Sequence, residues 1–200
     1  MLLSGIQWWT FDIGGYGGGN ADDDAYRELY VRWFQYAGFV PIMRAHGDRS
    51  CSHAHPGFQK CPNEPWSFGE AAYPRLVAAI ESRQRLRPYI DRTAQRGIES
   101  GRPMMRPLFM DFPSDGSAAG AEDVYMFGDA LLVAPVLFPG AISRDVYLPA
   151  LPGQATWYLY WDRSQHFTGG QQISVPVTME RIPVFMRADV EDARLLPMDP

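Results

Sequence analysis

The sequence predicts a parallel α/β segment followed by an all-β segment. Within residues 1–47 the order is strand, glycine-rich loop, helix and strand, and a crossover of this kind implies a parallel sheet. After about residue 113, short runs alternate apolar and polar residues, which indicates an antiparallel β-sandwich. Between the two, apolar residues spaced three and four apart predict a long helix over residues 74–99.

The α/β segment can be followed element by element. Residues 2–12 form an apolar run that ends in a glycine-rich stretch, which predicts a buried strand and a loop. The three aspartates at residues 22–24 place negative charge where a helix begins, and this helix is expected to run to about Gly38. A second short strand is expected over residues 39–44.

The helix over residues 74–99 and the strands after it complete the prediction. Pro88 is expected to kink the helix, and Gly97 or Gly101 to end it. Strands are then expected within four runs, whose residues are 125–137, 156–161, 173–179 and 182–186.

Composition and charge exclude several classes of protein. The 200 residues are 46% hydrophobic and 20% charged, as expected of a chain with a packed core. The formal net charge of −5 argues against nucleic acid or an anionic membrane as a partner. No apolar run reaches the roughly 20 residues of a membrane span, and no signal peptide follows Met1. Because an apolar strand pattern begins directly after Met1, we expect the sequence to start inside a longer protein.

Polar and aromatic residues end both predicted parallel strands. Asp12 ends the first, beside Trp9 and Tyr16, and Arg44 and His46 end the second. This edge carries the active site in α/β folds, and aromatic rings beside a carboxylate are suited to binding sugars. The alternative is structural, with Asp12 capping a turn and the tryptophans in the core. No frame of the adjoining glycines fits G-x-G-x-x-G, so we expect no dinucleotide to bind here. We expect no cofactor of another kind either.

The polar loop after the second strand contains Cys51, His53, His55 and Cys61. These four residue types could bind zinc, but their spacing differs from that of common zinc fingers. We favour a disulfide between Cys51 and Cys61, which would place the parent protein in an oxidising compartment, as a secreted protein.

Five segments resemble the C-terminal part of glycoside hydrolase family 31, the α-glucosidase and α-xylosidase family. They are SGIQWWTFDIGGY (4–16), RWFQYAGFVPIMRAHG (32–47), RPLFMDFP (106–113), YMFGDALLVAPV (125–136) and RIPVFMRA (181–188). The resemblance implies the C-terminal portion of a (β/α)8 TIM barrel followed by an antiparallel β-sandwich domain. Residues 1–113 would supply the last two strand–helix units of the barrel, and residues 114–200 the sandwich.

The resemblance also implies a function for the residues at the strand ends. Asp12 would bond a sugar hydroxyl, with Tyr16 lining the same subsite, His46 contacting hydroxyls and Arg44 orienting its neighbours. The family's retaining mechanism uses two aspartates, in W-x-D-x-x-E-like and W-x-G-D-like motifs that do not occur here. The resemblance assigns Asp129, in F-G-D, to the sandwich. We therefore expect no catalytic residue in this chain and no turnover by it alone.

The expected substrate is an oligosaccharide with terminal α-linked xylose or glucose. Residues 44–47, R-A-H-G, and the long loop after them resemble the α-xylosidase branch more than the R-N-H-N pattern of α-glucosidases. The alternatives are a non-catalytic carbohydrate-binding module and a subunit that completes the barrel of another chain. A further expected partner is the N-terminal part of the same enzyme.

Overall fold

The computed structural model describes residues 2–52 and 61–198. Its helices are α1 (Asp24–Ala37), α2 (Tyr73–Arg85), α3 (Arg87–Ser100), α4 (Leu108–Asp111) and α5 (Gly116–Ala119). Its strands are β1 (Met105–Pro107), β2 (Tyr125–Phe127), β3 (Leu131–Val133), β4 (Ser143–Leu148), β5 (Thr156–Leu159), β6 (Asp162–Thr168), β7 (Gln171–Pro176) and β8 (Val184–Arg187). Short 3-10 turns lie at Leu2–Ser4, Pro65–Phe68, Pro152–Gln154 and Glu191–Leu195.

The strands form two antiparallel sheets. Six of them pair in the order β1-β2-β3-β8-β5-β6, and β4 pairs with β7 in the second sheet. In β2, Tyr125 and Phe127 point into a core shared with helices α1, α2 and α3, whereas Met126 points into a second core shared with β4 and β7. The larger sheet is therefore the middle of three layers. Because both of its faces are covered, β2 and β3 are buried throughout and do not alternate with polar residues.

Helix α1 confirms its sequence prediction. The carboxylate of Asp23 accepts from the backbone N–H of Ala25 at 3.0 Å and caps the first turn. Its buried face carries Tyr26, Tyr30 and Phe34, each four residues after the one before.

Residues 2–12 and 39–44 do not form regular parallel strands, so this prediction is wrong. The first run begins as a 3-10 turn and continues without regular structure, and residues 39–42 form a turn and bends. The pairing reduces to one parallel bridge just past the two runs, Ile13 with Ala45. A regular parallel strand needs neighbours, and the described residues supply none on the outer edges. Carbonyls of the second run are bound by Arg83 instead, whose guanidinium donates to the oxygens of Val40 at 2.6 Å and Pro41 at 2.8 Å. Burial lowers the pKa of Arg83 to about 10, so it remains a cation.

The helix predicted over residues 74–99 is two helices, α2 and α3, that meet at Leu86. Pro88 has no N–H to donate to the preceding turn, so the chain restarts a helix there instead of kinking within one. Gly101, with φ +72°, ends α3 in the left-handed conformation. Gly97 remains inside α3, buried against Gln7 and Arg102.

All four runs expected to contain strands do contain them, and β1, β4 and β6 were missed. β1 was missed because three residues are too short for a periodicity, β4 because its first three residues are polar, and β6 because exposed polar residues dominate it. β1 lies before residue 113 and pairs with β2, so the sheet extends across the predicted domain boundary, which itself stays a prediction. No described helix has both the length and the apolar character that crossing a membrane requires.

Candidate functional site

Two loops lie side by side after the two apolar runs at residues 2–12 and 39–44, and together they form the candidate site. The first loop is residues 12–21 and the second is residues 44–50. Backbone N–H groups donate from Asp48 to the carbonyl of Tyr16, and from Ser50 to that of Gly19, each at 2.9 Å. A second parallel bridge joins Asn20 to Ser50. The structure thus places the ends of the two segments at one edge, as the sequence predicts.

The side chains predicted to bind a ligand meet in two pairs across these loops. Asp12 accepts a hydrogen bond from the guanidinium of Arg44, and the Asp12 side chain is 19% exposed. The rings of Tyr16 and His46 lie with centroids 5.7 Å apart at 45°, and both side chains are exposed. A carboxylate, a guanidinium, an imidazole and a phenol are thereby presented along one edge, all capable of hydrogen bonds to a polyhydroxyl ligand.

Trp9 lies differently from the other four. It is partly buried, packs against the core and contacts Phe11 with ring centroids 5.8 Å apart. Its neighbour Trp8 is 50% exposed. Trp9 therefore supports the first segment from beneath, and a direct ligand contact by Trp9 stays a prediction.

Arg49 organises both loops and was missed by the sequence analysis. It is 2% exposed, and its guanidinium donates to the carbonyls of Ile13 and Asp48, each at 2.8 Å, and of His46 at 3.2 Å. It also lies over the rings of Tyr26 and Tyr30, 5.7 and 5.8 Å from their centroids. Nothing in the sequence pattern separates Arg49 from a solvated loop arginine.

Tyr26 completes this support. Its hydroxyl donates to the carbonyl of Gly14 at 3.0 Å. Burial raises the pKa of Tyr26, and nearby Arg49 opposes part of the rise. The pKa of Tyr30 is raised for the same reason. Both phenols therefore remain protonated donors at neutral pH.

Two glycines permit the close approach of the loops. A Cβ on Gly14, at φ +84°, would lie 2.8 Å from Nη2 of Arg49 and 2.7 Å from the Tyr26 hydroxyl. A Cβ on Gly47, at φ +118°, would lie 2.6 Å from the carbonyl oxygen of Gly15. Neither position has space for a side chain.

Cys51 and Cys61 form a disulfide, with Cα atoms 5.9 Å apart. Neither sulfur is then a free thiolate for zinc, and the described part of the chain contains no cluster suited to a metal ion. His53 and His55 lie outside the described residues.

Asp129 is held by arginines. Its carboxylate accepts from Arg106 and Arg96, each at 2.9 Å, and Arg106 also donates to Asp111 at 2.7 and 2.9 Å. Arg106 is 2% exposed, and burial of the guanidinium opposes ionisation, but these carboxylates leave its pKa raised. Asp129 thus neutralises a buried cation between α3 and the sheet, a structural task.

Two family models match the chain. The model described as the glycosyl hydrolases family 31 TIM-barrel domain matches residues 1–93, and that of the family 31 C-terminal domain matches residues 101–190.

Comparison of sequences finds relatives that include two α-xylosidases. The chain is 38% identical over 186 residues to an α-xylosidase of Saccharolobus solfataricus, which covers 93% of this chain and 23% of the relative. It is 37% identical over 199 residues to α-xylosidase A of Aspergillus niger, covering 91% of this chain and 27% of the relative. The chain therefore spans about a quarter of the length of these relatives.

Solved structures of this family superpose on nearly the whole chain. A family 31 α-xylosidase from a soil metagenome, complexed with xylose, superposes with a TM-score of 0.87 at 40% identity, over 98% of this chain and 30% of that one. A dextranase variant of Flavobacterium johnsoniae, complexed with isomaltotriose, superposes with a TM-score of 0.80 at 34% identity, over 94% of this chain and 22% of that one.

Proposed function

Because this chain belongs to glycosyl hydrolase family 31, as the C-terminal portion of the TIM-barrel domain and the C-terminal domain, we propose that it forms part of the sugar site of a retaining α-glycosidase. The substrate is an oligosaccharide with a terminal α-linked xylose. The observation that carries the proposal is the convergence of Asp12, Arg44, Tyr16 and His46 on one loop edge.

Each side chain at this edge has a role that follows from its chemistry. Asp12 accepts hydrogen bonds from sugar hydroxyls, and Arg44 fixes the orientation of its carboxylate. His46 bonds further hydroxyls, while Tyr16 offers a ring face to the apolar C–H side of the sugar. Arg49 holds both loops through their carbonyls and does not touch the ligand.

The two catalytic carboxylates are supplied by residues outside 1–200. A retaining mechanism needs one carboxylate as nucleophile and another as acid and base, about 5–5.5 Å apart. Asp12 cannot act as both, and Asp129 is occupied by Arg96 and Arg106. The isolated chain therefore binds sugar without hydrolysing it.

Xylose is preferred over glucose as the terminal sugar. Two relatives are named α-xylosidases, and a similar structure contains xylose. The R-A-H-G order of residues 44–47 supports the same choice. The relatives also include neutral α-glucosidase C of Mus musculus, at 35% identity over 192 residues, so glucose is the competitor to measure.

The test is sugar binding by the purified chain, measured by NMR titration with xylose and with glucose. We expect xylose to bind more tightly, and Asp12→Asn to weaken binding about tenfold, the effect of losing one charged hydrogen bond. Asp91→Asn, an exposed carboxylate on α3, is the control and should change nothing. Absence of xylose binding would overturn the site. Release of nitrophenol from an α-xyloside by residues 1–200 would overturn the assignment of the catalytic pair.

The partner of the chain is a polypeptide that carries the remaining barrel strands. The two runs at residues 2–12 and 39–44 expose Leu3, Ile6, Trp8 and Ile42, which are apolar side chains 43–80% exposed. Strand neighbours would cover them. The Cys51–Cys61 disulfide further favours an oxidising, secretory compartment for the enzyme.

A further inference from the structure

The Cys51–Cys61 disulfide lies directly beside the second loop of the candidate site. Cys51 follows the last residue of that loop, and Cys61 forms an antiparallel bridge with Arg49, inside the loop. In this bridge the N–H of Cys61 donates to the carbonyl of Arg49 at 3.0 Å. Because a hydrogen bond opens and closes readily whereas a covalent bond does not, the disulfide is the stronger of the two connections between these segments.

Beyond Cys61 the chain is anchored on helix α1. The hydroxyl of Tyr30 donates to the carbonyl of Asn63 at 3.0 Å, and the tyrosine itself is fully buried in the core. Cys61 is 8% exposed. The disulfide therefore ties the end of the second loop to a segment whose position is set by the core.

The residues just before the disulfide pass this anchoring to the sugar-binding edge. The backbone N–H of Asp48 donates to the carbonyl of Tyr16 at 2.9 Å, which joins the second loop to the first. The guanidinium of Arg49 donates to the carbonyl of His46 at 3.2 Å. Residues 48–50 thus help to set where Tyr16 and His46 lie relative to each other.

We propose that the Cys51–Cys61 disulfide is a redox switch of the sugar site, whose reduction loosens the second loop and weakens sugar binding. This inference rests on the proposed function and adds a regulation to the same site. Reduction leaves the hydrogen bonds of the loops available but removes the covalent link to the core. The loop then occupies the binding arrangement for a smaller fraction of the time, and the apparent affinity falls in proportion to that fraction.

The reductant is a dithiol. Its thiolate attacks the sulfur of Cys51, which is partly exposed whereas Cys61 is buried. The S–S bond breaks, Cys61 leaves as a thiolate and takes up a proton, and a mixed disulfide forms at Cys51. The second thiol of the reductant then displaces Cys51, so that two electrons and two protons pass to the protein and the reductant leaves as a cyclic disulfide.

The first test measures xylose binding by NMR titration of the full 200-residue chain, oxidised and after reduction with dithiothreitol. We expect reduction to weaken xylose binding about fivefold and reoxidation to restore it. The double substitution Cys51→Ser, Cys61→Ser should bind as the reduced chain does, with and without dithiothreitol, and so controls for the reductant. Equal xylose affinity of the oxidised and reduced chains overturns the switch.

Amide hydrogen exchange separates this inference from the proposed function, because it needs no sugar. Reduction should speed exchange of the Asp48 and Ser50 amides, which donate to the first loop, but not of the Tyr160 amide, which donates to the carbonyl of Val184 at 2.8 Å. Faster exchange at the two loop amides in a chain that binds no xylose keeps the switch of the loop and overturns the proposed function. Unchanged exchange there overturns the switch and leaves the site at Asp12 standing. Equal acceleration of all three amides is global unfolding and overturns the switch as well.

Discussion

At the scale of single residues, the candidate site depends on the buried cation Arg49, which donates hydrogen bonds to backbone carbonyl groups. Arg49 donates to backbone oxygens of both loops, and the described residues place no carboxylate against its guanidinium. Hydrogen bonds to backbone oxygens and the faces of two tyrosines replace an anionic partner. The placement of the Ile13 and His46 backbone in space therefore depends on Arg49.

Gly14 and Gly15 form a matched pair for testing this packing. Both have φ near +85°, but a Cβ on Gly14 would collide with Tyr26, Tyr30 and Arg49, whereas one on Gly15 would meet nothing within 4 Å. Gly15→Ala should cost about 1–2 kcal/mol of unfolding free energy from backbone strain alone. Gly14→Ala adds overpacking and should cost about 3 kcal/mol or more. Urea denaturation measures both, and equal losses would contradict the close packing around Gly14.

The sequence predicted much of this site but not its support. Asp12, Tyr16, Arg44 and His46 could be found because they end two apolar runs, and strand ends in α/β folds meet at one edge. Arg49 and Tyr26 could not, because their contacts depend on how two loops fold over a helix. The partial burial of Trp9 was equally unpredictable, since in the sequence it is indistinguishable from the exposed Trp8.

At the scale of elements, the disulfide should stabilise the fold by closing a loop. Cys51 and Cys61 are ten residues apart, and closing such a loop lowers the entropy of the unfolded chain by an equivalent of about 3 kcal/mol in the chain-entropy model. The double substitution Cys51→Ser, Cys61→Ser should lower the unfolding free energy by up to this amount.

Dithiothreitol should reproduce the effect in the wild-type chain and change nothing in the double serine variant, which is the control. Thermal unfolding with and without reductant measures both. A wild-type chain that melts at the same temperature after verified reduction would contradict a stabilising role for the disulfide.

Helix α1 and strands such as β2 and β3 were predictable as elements, and the parallel strands were not. Helix α1 has a cap and an apolar stripe that act locally, and β2 and β3 have partners within the chain. Residues 2–12 and 39–44 have strand-like sequences, but strand geometry requires flanking neighbours. One parallel bridge, Ile13 with Ala45, lies just past the ends of the two runs.

At the scale of the whole molecule, one core joins the two family domains. It runs from Ile13 through α1, α2 and α3 to the six-stranded sheet and Leu196. The Tyr125 hydroxyl on β2 also donates to the carbonyl of Phe39 at 3.0 Å. The barrel portion is thus stabilised on the side that faces the sheet, whereas Leu3, Ile6, Trp8 and Ile42 in its two apolar runs are exposed.

These exposed apolar side chains should make the isolated chain associate with itself. Ile6 and Ile42 are 43% and 44% exposed, and burying the exposed remainder of one such side chain contributes about 1 kcal/mol. The double substitution Ile6→Lys, Ile42→Lys should weaken self-association about tenfold or more, and it should lower the unfolding free energy slightly, because over half of each side chain is covered within the chain. Ile98→Lys, at a 65% exposed position on α3, is the matched control. Sedimentation velocity over a range of concentrations measures the effect. Equal association of wild type and the double variant would contradict a role for Ile6 and Ile42 in self-association. An equal loss of association in the Ile98 variant would contradict it as well.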